Sequence, residues 1–242
     1  FADIILKDKY KTRMLDDHNN FKCFKISLQG LLGGHSGHDI DKNRGNACIL
    51  LAELLENIGE DNEMNLINFH AGTNFNVIAS NGEAMIYSDI EENELKNTVE
   101  RFIKFNKEKY SNLTIDIKKV DEKLEALNRQ ETKRYLETIT NFKHGVLSRN
   151  EEGMPTTSVN LGMVNLSEHT FTVGMRSSRK KEEENCMQNL VEYSKNYDLE
   201  FELLGRQPGF ETSKNSELVN KLMDTRPEEY MENTQVKGVH FA

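Results

Sequence analysis

No apolar run in this chain of 242 residues approaches the roughly 20 residues that a membrane-spanning helix needs, and no charged-apolar-small leader opens it. The chain therefore reads as soluble, with no membrane partner. A basic excess is missing as well: 31 Lys and Arg stand against 40 Asp and Glu, for a net charge of −9. No basic stripe offsets that acidic surface, which argues against nucleic acid as a partner. Cysteine is scarce, and Cys23, Cys48 and Cys186 are odd in number and far apart. They read as reduced thiols packed as small hydrophobes in a cytoplasmic protein, not as a disulfide framework.

What the sequence does have is one concentrated stretch, Gly30-Leu31-Leu32-Gly33-Gly34-His35-Ser36-Gly37-His38-Asp39. Four glycines within eight residues allow a backbone that takes positive φ and lies close to a ligand, with the His35 imidazole held among them. Several readings stay open on these residues alone. His35 reaches a substrate, or the stretch is a structural turn with an incidental histidine. A glycine turn opening onto a helix N-terminus is also a ready anion site. A phosphate loop is disfavoured, since no Gly-Lys-Ser/Thr follows and the spacing is not the dinucleotide fingerprint. His35, His38 and Asp39 could ligate zinc, yet no other Cys or His pair completes a set with recognisable spacing.

Apolar periodicity predicts the elements along the chain. A short strand over Ile4–Leu6 precedes a polar connection through Asp16, Asp17, His18 and Asn19. Phe24, Ile26 and Leu28 alternate with Lys25, Ser27 and Gln29 as a half-buried strand that feeds the glycine turn. Ile49, Leu50, Leu54, Leu55 and Ile58 share a helical face, with Gly59 placed to end the helix. Leu66–Phe69 and Phe75–Ala79 lead through Asn81-Gly82 to Ala84–Ile90, the signal of a hairpin. A helix with Leu95, Val99, Phe102 and Ile103 and a strand alternating Leu113, Ile115 and Ile117 follow.

That order partly repeats. A helix with Leu124, Leu127, Leu136 and Ile139 leads to strands Val159–Leu166 and Phe171–Met175, joined at Ser167-Glu168-His169. A helix with Cys186, Leu190 and Val191 and a strand with Leu199, Phe201 and Leu203 close the unit. The expected class is α+β, an antiparallel sheet with helices on one face, as a duplicated ferredoxin-like sandwich with halves near 21–120 and 121–206. Arg206-Gln207-Pro208-Gly209 marks a boundary. Beyond it come a short helix with Leu218, Val219 and Leu222 and a strand with Val236, Val239 and Phe241 that is cut off. A start at Phe1 without methionine and a stop at Ala242 inside that run read as a piece of a longer protein.

Several stretches together resemble a known family. They are Gly33-Gly34-His35-Ser36-Gly37, Asn43-Arg44-Gly45-Asn46-Ala47 and Gly72-Thr73-Asn74-Phe75-Asn76-Val77-Ile78, then Thr156-Thr157-Ser158-Val159-Asn160-Leu161-Gly162, Met175-Arg176-Ser177-Ser178 and Gln207-Pro208-Gly209-Phe210. In this order, covering most of the chain from about Phe21 onward, they resemble the lid domain of the zinc aminopeptidase and dipeptidase family that includes aminoacylases and carnosinases. The resemblance implies a lid and dimerisation domain over 1–206 and, over 207–242, the first return segment of an α/β catalytic domain. It implies hydrolysis of dipeptides of the Xaa-His type, a dipeptide and a second copy of the chain as partners, and a cytoplasmic enzyme.

Zinc or another divalent metal would sit on the catalytic domain, held by a His-x-Asp pair, further carboxylates and a late histidine. No His-x-Asp or paired-Glu stretch precedes the lid here. This chain is therefore expected to hold no metal or other cofactor and to be inactive alone. Residue by residue, His35 matches the lid histidine that polarises the scissile carbonyl and stabilises the oxyanion. Asn76 matches an asparagine that hydrogen-bonds substrate, and Arg176 matches the arginine that takes the substrate carboxylate, with Gly34 beside His35 in the substrate-binding set. Where the family usually has proline after Val-Ile, this chain has Ala79. His240 matches a histidine of the return strand.

On the residues alone, Asn76 is also readable as an edge-strand bend, and Arg176 as a solvated charge beside Arg179, Lys180 and Lys181. His70, His144 and His169 read as surface or satisfied core histidines. The competing reading of the whole chain is a non-catalytic α+β association or small-anion-binding module.

Overall fold

The computed structural model describes residues 1–15 and 21–209, with Glu217, Lys221 and Asp224 beyond them. The connection through His18 and nearly all of 210–242, including His240 and the expected catalytic-domain fragment, lie outside the described residues. In chain order the elements are β1 (Ala2–Lys7), β2 (Lys22–Gln29), β3 (Gly34–His35), α1 (Ala47–Asp61), β4 (Met64–Gly72), β5 (Val77–Ile78) and β6 (Gly82–Ser88). Then come α2 (Glu92–Asn106), β7 (Thr114–Val120), α3 (Arg129–Thr140), β8 (Gly145–Arg149), β9 (Pro155–Asn165), β10 (Thr170–Ser177), α4 (Lys180–Asn196) and β11 (Glu200–Arg206).

The class is the expected α+β. Eight strands run side by side in the order β11-β1-β10-β9-β4-β6-β2-β7, and β8 pairs with β9 off this path. The pairings among these strands are antiparallel. The order resolves into two copies of one pattern. β2, α1, β4, β6, α2 and β7 form a split β-α-β unit, the ferredoxin-like arrangement. β1, α3, β9, β10, α4 and β11 form the second, and β4 meets β9 at the junction. The second half therefore takes its first strand from the N-terminus, ahead of the first half in the chain, and the stretch 121–206 does not complete it.

Period-2 burial shows why the strands lie as they do. Ala2, Ile4 and Leu6 of β1 and Phe24, Ile26 and Leu28 of β2 are fully buried on the face that carries the helices. α1 packs on α2 and α3. α3 reaches α4 where the Tyr193 hydroxyl donates to the Thr138 carbonyl, so α1 to α4 share one face. The other face carries a small cluster of Cys23, Ile67, Tyr87 and Ala126 at one end. All three cysteines are free and buried, and burial pushes the Cys23 and Cys186 thiols up to about 11.

Four boundaries differ from the periodicity. α1 runs through Gly59 and stops at Asn62, whose Nδ2 donates to the Ile58 carbonyl at 2.9 Å and closes the last turn. α3 starts only at Arg129, because Asn128 and Glu131 form a reciprocal capping box. Leu124 and Leu127 therefore precede the helix. β8 had no signal of its own. The Asn81-Gly82 hairpin is also absent: β6 pairs with β4 and β2, while Val77 and Ile78 leave the main sheet to pair with His35 and Gly34. Gly72, at φ +78, turns the chain out of the sheet. Its N–H donates to the Asn81 carbonyl at 3.0 Å, so residues 73–81 form one long loop.

His144 ties α1 to β9. Its Nδ1 lies 3.3 Å from the Leu161 N–H that it accepts and 3.4 Å from Asn46 Nδ2. Burial lowers its pKa to about 4, so the folded chain keeps this imidazole neutral. Between the ordinary histidine value of about 6.5 and that lowered value, the unfolded chain takes up a proton that the folded chain refuses. The contribution is therefore complete above pH 6.5 and is lost as the pH falls toward 4, on the order of 3 kcal/mol in all. Urea unfolding at pH 7 and pH 4.5 should show this loss, and His144→Gln should flatten it. An unchanged slope in the variant would remove His144 as its source.

Candidate functional site

The glycine stretch leaves β2 at Gly30, whose φ of +87 and contact with the Asn112 carbonyl leave no room for a side chain. Gly34 is fixed as glycine from two sides: its φ is +134, and a Cβ would stand 2.1 Å from Arg44 Nη1 and 2.4 Å from Asp39 Oδ2. Arg44 also donates to the Gly33 carbonyl. Asp39 Oδ2 accepts the His35 N–H at 2.9 Å, while Oδ1 takes Lys42 at 2.8 Å and Arg44 at 3.0 Å. These bonds, that from Lys42 foremost, hold the Asp39 carboxyl below its usual range. The carboxylate is a collar for the loop.

Two of the open readings end on this geometry. The glycine turn does not open onto a helix N-terminus, because α1 begins only at Ala47. The first amides there are already spent: Ala47 N–H donates to the Ala79 carbonyl at 2.8 Å and Cys48 N–H to Asn46 Oδ1 at 2.9 Å. His35, His38 and Asp39 do not form a metal triad either. Their carboxylate is engaged by Lys42 and Arg44, and the two imidazoles meet edge-on with centroids 5.8 Å apart.

The second part of the site comes from the long loop. β3 and β5 make a two-stranded ribbon, and the Ser36 N–H donates to the Asn76 carbonyl at 2.9 Å. This places residue 76 beside His35. The loop lies on the open face of β9 and β10, where Gly162 and Gly174 admit it. A Cβ on Gly162 would be 2.1 Å from the Asn74 carbonyl oxygen, and one on Gly174 would be 2.5 Å from that of Phe75. Asn160, also on β9, donates to the Phe75 carbonyl at 2.7 Å and to the Val77 carbonyl at 2.8 Å.

Arg176 supplies the third part from β10. Its Nε donates to Ser36 Oγ at 3.3 Å, and a Cβ on Gly37 would sit 3.4 Å from the Arg176 guanidinium carbon and 3.2 Å from the His35 ring. His35, Asn76 and Arg176, distant in sequence, thus lie together with Gly34 on one face of the sheet. Arg176 is half-buried, and its Nη1 is buried without a partner among the described residues. Burial lowers its pKa and nearby Asp3 opposes that; a guanidinium stays charged throughout.

His35 is lowered from the usual histidine value by burial first, then by the positive Arg176 and by His38, against Asp39. Its Nδ1 accepts the Gly37 N–H at 3.2 Å. A neutral ring with Nδ1 used as acceptor carries its proton on Nε2. The arrangement therefore offers one neutral donor and one cation. Among the described residues, no three His, Cys, Asp or Glu side chains come together to hold a metal ion. Of the other histidines, His169 meets Asp8 at 2.8 Å and His70 is exposed on β4. Sequence patterning assigns no role to Ser36 or Asn160 and reads Asp39 only as a candidate zinc ligand. Alternation marks Asn160 as facing away from the core, between Val159 and Leu161, but carries no sign of the loop that it holds.

Comparison with known proteins agrees with this architecture. Residues 26–114 match a family model described as a peptidase dimerisation domain. The cytosol non-specific dipeptidase of Escherichia coli (strain K12) is 26% identical over 229 residues, which are 91% of this chain and 47% of that protein. The crystal structure of aminoacylhistidine dipeptidase from Vibrio alginolyticus superposes with a TM-score of 0.81 at 20% identity, covering 92% of this chain and 47% of that one. At that identity the likeness is one of fold. The chain spans about half the length of both relatives. Residues 26–114 thus match the dimerisation domain of the M20 peptidases, and the chain as a whole is similar to dipeptidases.

Proposed function

We propose that this chain is the substrate-handling lid of a metal-dependent dipeptidase that hydrolyses Xaa-His dipeptides. The observation that supports this most is the Arg176 guanidinium, half-buried with Nη1 unpartnered, beside a neutral imidazole whose Nε2 carries the proton. A planar guanidinium suits the free carboxylate at the C-terminal end of a dipeptide. The His35 Nε2–H would donate to the scissile carbonyl oxygen as it becomes an oxyanion. Asn76 would hydrogen-bond the substrate, and Gly34 would let the backbone approach it.

Zinc or another divalent metal, supplying an activated water when bound, would be held by residues outside those described. On this reading residues 1–206 are the lid, 207–242 begin the return to the catalytic domain, and the chain alone is inactive. The enzyme would act in the cytoplasm, a location supported by the buried free thiols and by the name of the Escherichia coli relative. It would act as a homodimer. The β4 edge is already paired within the chain, so we put the second copy at β11, where Leu203 and Leu204 are exposed. Dipeptide turnover by the purified chain with added divalent metal would count against the fragment reading. A monomeric mass in sedimentation at micromolar concentration would count against the dimer.

The roles of His35 and Arg176 separate kinetically in the full-length protein. An oxyanion donor acts mainly in the transition state, so His35→Ala should lower kcat by about 10²–10³ with little change in KM. A carboxylate clamp holds ground and transition states alike. Arg176→Ala should therefore mainly raise KM, and Arg176→Lys should not restore it. A folded His35→Ala enzyme with kcat within a few-fold of wild type would take His35 out of the mechanism.

A further inference from the structure

The geometry points to Asn160 as the positioning residue of this site, acting through the loop that carries Asn76 and, beyond it, through His35. The residue is 1% exposed, in mid-strand on β9. Both of its N–H groups go to one short stretch of backbone, the Phe75 carbonyl at 2.7 Å and the Val77 carbonyl at 2.8 Å. Those carbonyls flank Asn76, whose own carbonyl is turned the other way to accept the Ser36 N–H at 2.9 Å. Ser36 follows His35 directly, and its hydroxyl accepts from Arg176 Nε. One side chain thus fixes the loop, the loop fixes residue 36, and residue 36 sits between imidazole and guanidinium.

The cost of this arrangement is visible. Asn160 Oδ1 is buried without a partner among the described residues, and an unpaired buried acceptor is unfavourable. The asparagine therefore leaves its own oxygen unserved while both donors hold the loop. No other side chain of this length carries two donors: aspartate has none when ionised, serine and threonine have one, and leucine has none. Glutamine is a methylene too long for a loop that already fills the space over Gly162 and Gly174. Arg176 is different, because it stands on β10 itself and does not depend on the loop for its place.

The kinetic half of this inference rests on the oxyanion role proposed for His35; the structural half does not. Asn160→Asp keeps the volume but sets a carboxylate against two carbonyl oxygens, and Asn160→Ala removes the donors without adding charge. In the full-length protein both should speed amide exchange at Ser36, tenfold or more, since the loss of two hydrogen bonds of about 1 kcal/mol each corresponds to roughly 30-fold. Protection in the β1–β10 ladder should stay as in wild type. Unchanged Ser36 exchange, or a uniform loss of protection, would overturn the positioning role.

In turnover, both variants should lower kcat by about 10- to 100-fold, the range expected when a catalytic group is misplaced by around an ångström. KM should rise as well, because the same loop carries Asn76. In a His35→Ala background the same substitutions should change kcat by less than about threefold, because their effect passes through His35. An equal loss of kcat in both backgrounds would overturn the inference. If His35→Ala itself leaves kcat unchanged, the oxyanion reading fails, and the exchange measurement alone decides on Asn160.

Discussion

The pairing of β4 with β9 is the interaction on which the rest of this structure depends. Three residue pairs, His70 with Asn165, Ala71 with Val164 and Gly72 with Met163, join two ferredoxin-like units into a single sheet. An open strand edge presents unpaired N–H and C=O groups, and here each half closes that edge for the other. The helix side reinforces the junction. Asn46 caps α1 with its oxygen and uses its Nδ2 to reach the Leu161 carbonyl at 2.8 Å, across the boundary between halves.

The site is a by-product of that junction. Gly72 is the last paired residue of β4 and has a left-handed backbone, so the chain turns out of the sheet where the second half begins. The loop that follows crosses onto the partner half's open face, where Asn160, Gly162 and Gly174 receive it. Thr73 N–H donates to the Gly162 carbonyl at 3.2 Å and fastens the start of the crossing. His35 and Asn76 belong to the first half and Arg176 to the second, so neither half alone holds all three.

Charge is distributed at the site with the same economy. In a chain of net charge −9, the nearest carboxylate on the glycine stretch, Asp39, is engaged by Lys42, Arg44 and a backbone N–H. Arg176 keeps its charge with Nη1 unpartnered among the described residues. Partial burial of the ring, and then that positive charge, bias His35 toward its neutral form.

Much of this was legible in the sequence. Alternation marks β2 and β7, apolar runs mark β1, β9 and β10, helical spacing marks α1 to α4, and the repeated element order indicates two ferredoxin-like units, because each of these signals is local. The glycine stretch was conspicuous for the same reason. Element ends were harder: Asn62 and Asn128 set helix boundaries through single side-chain bonds that periodicity does not contain. Hydrophobic pattern tells a strand which face to bury, not which neighbour to take. So β1 joining the second half, β5 leaving for β3, and Asn160 reaching the 73–77 loop were decided only by the tertiary structure. In each case the deciding partner is a backbone group or strand edge far away in sequence, and such pairings leave no period behind them.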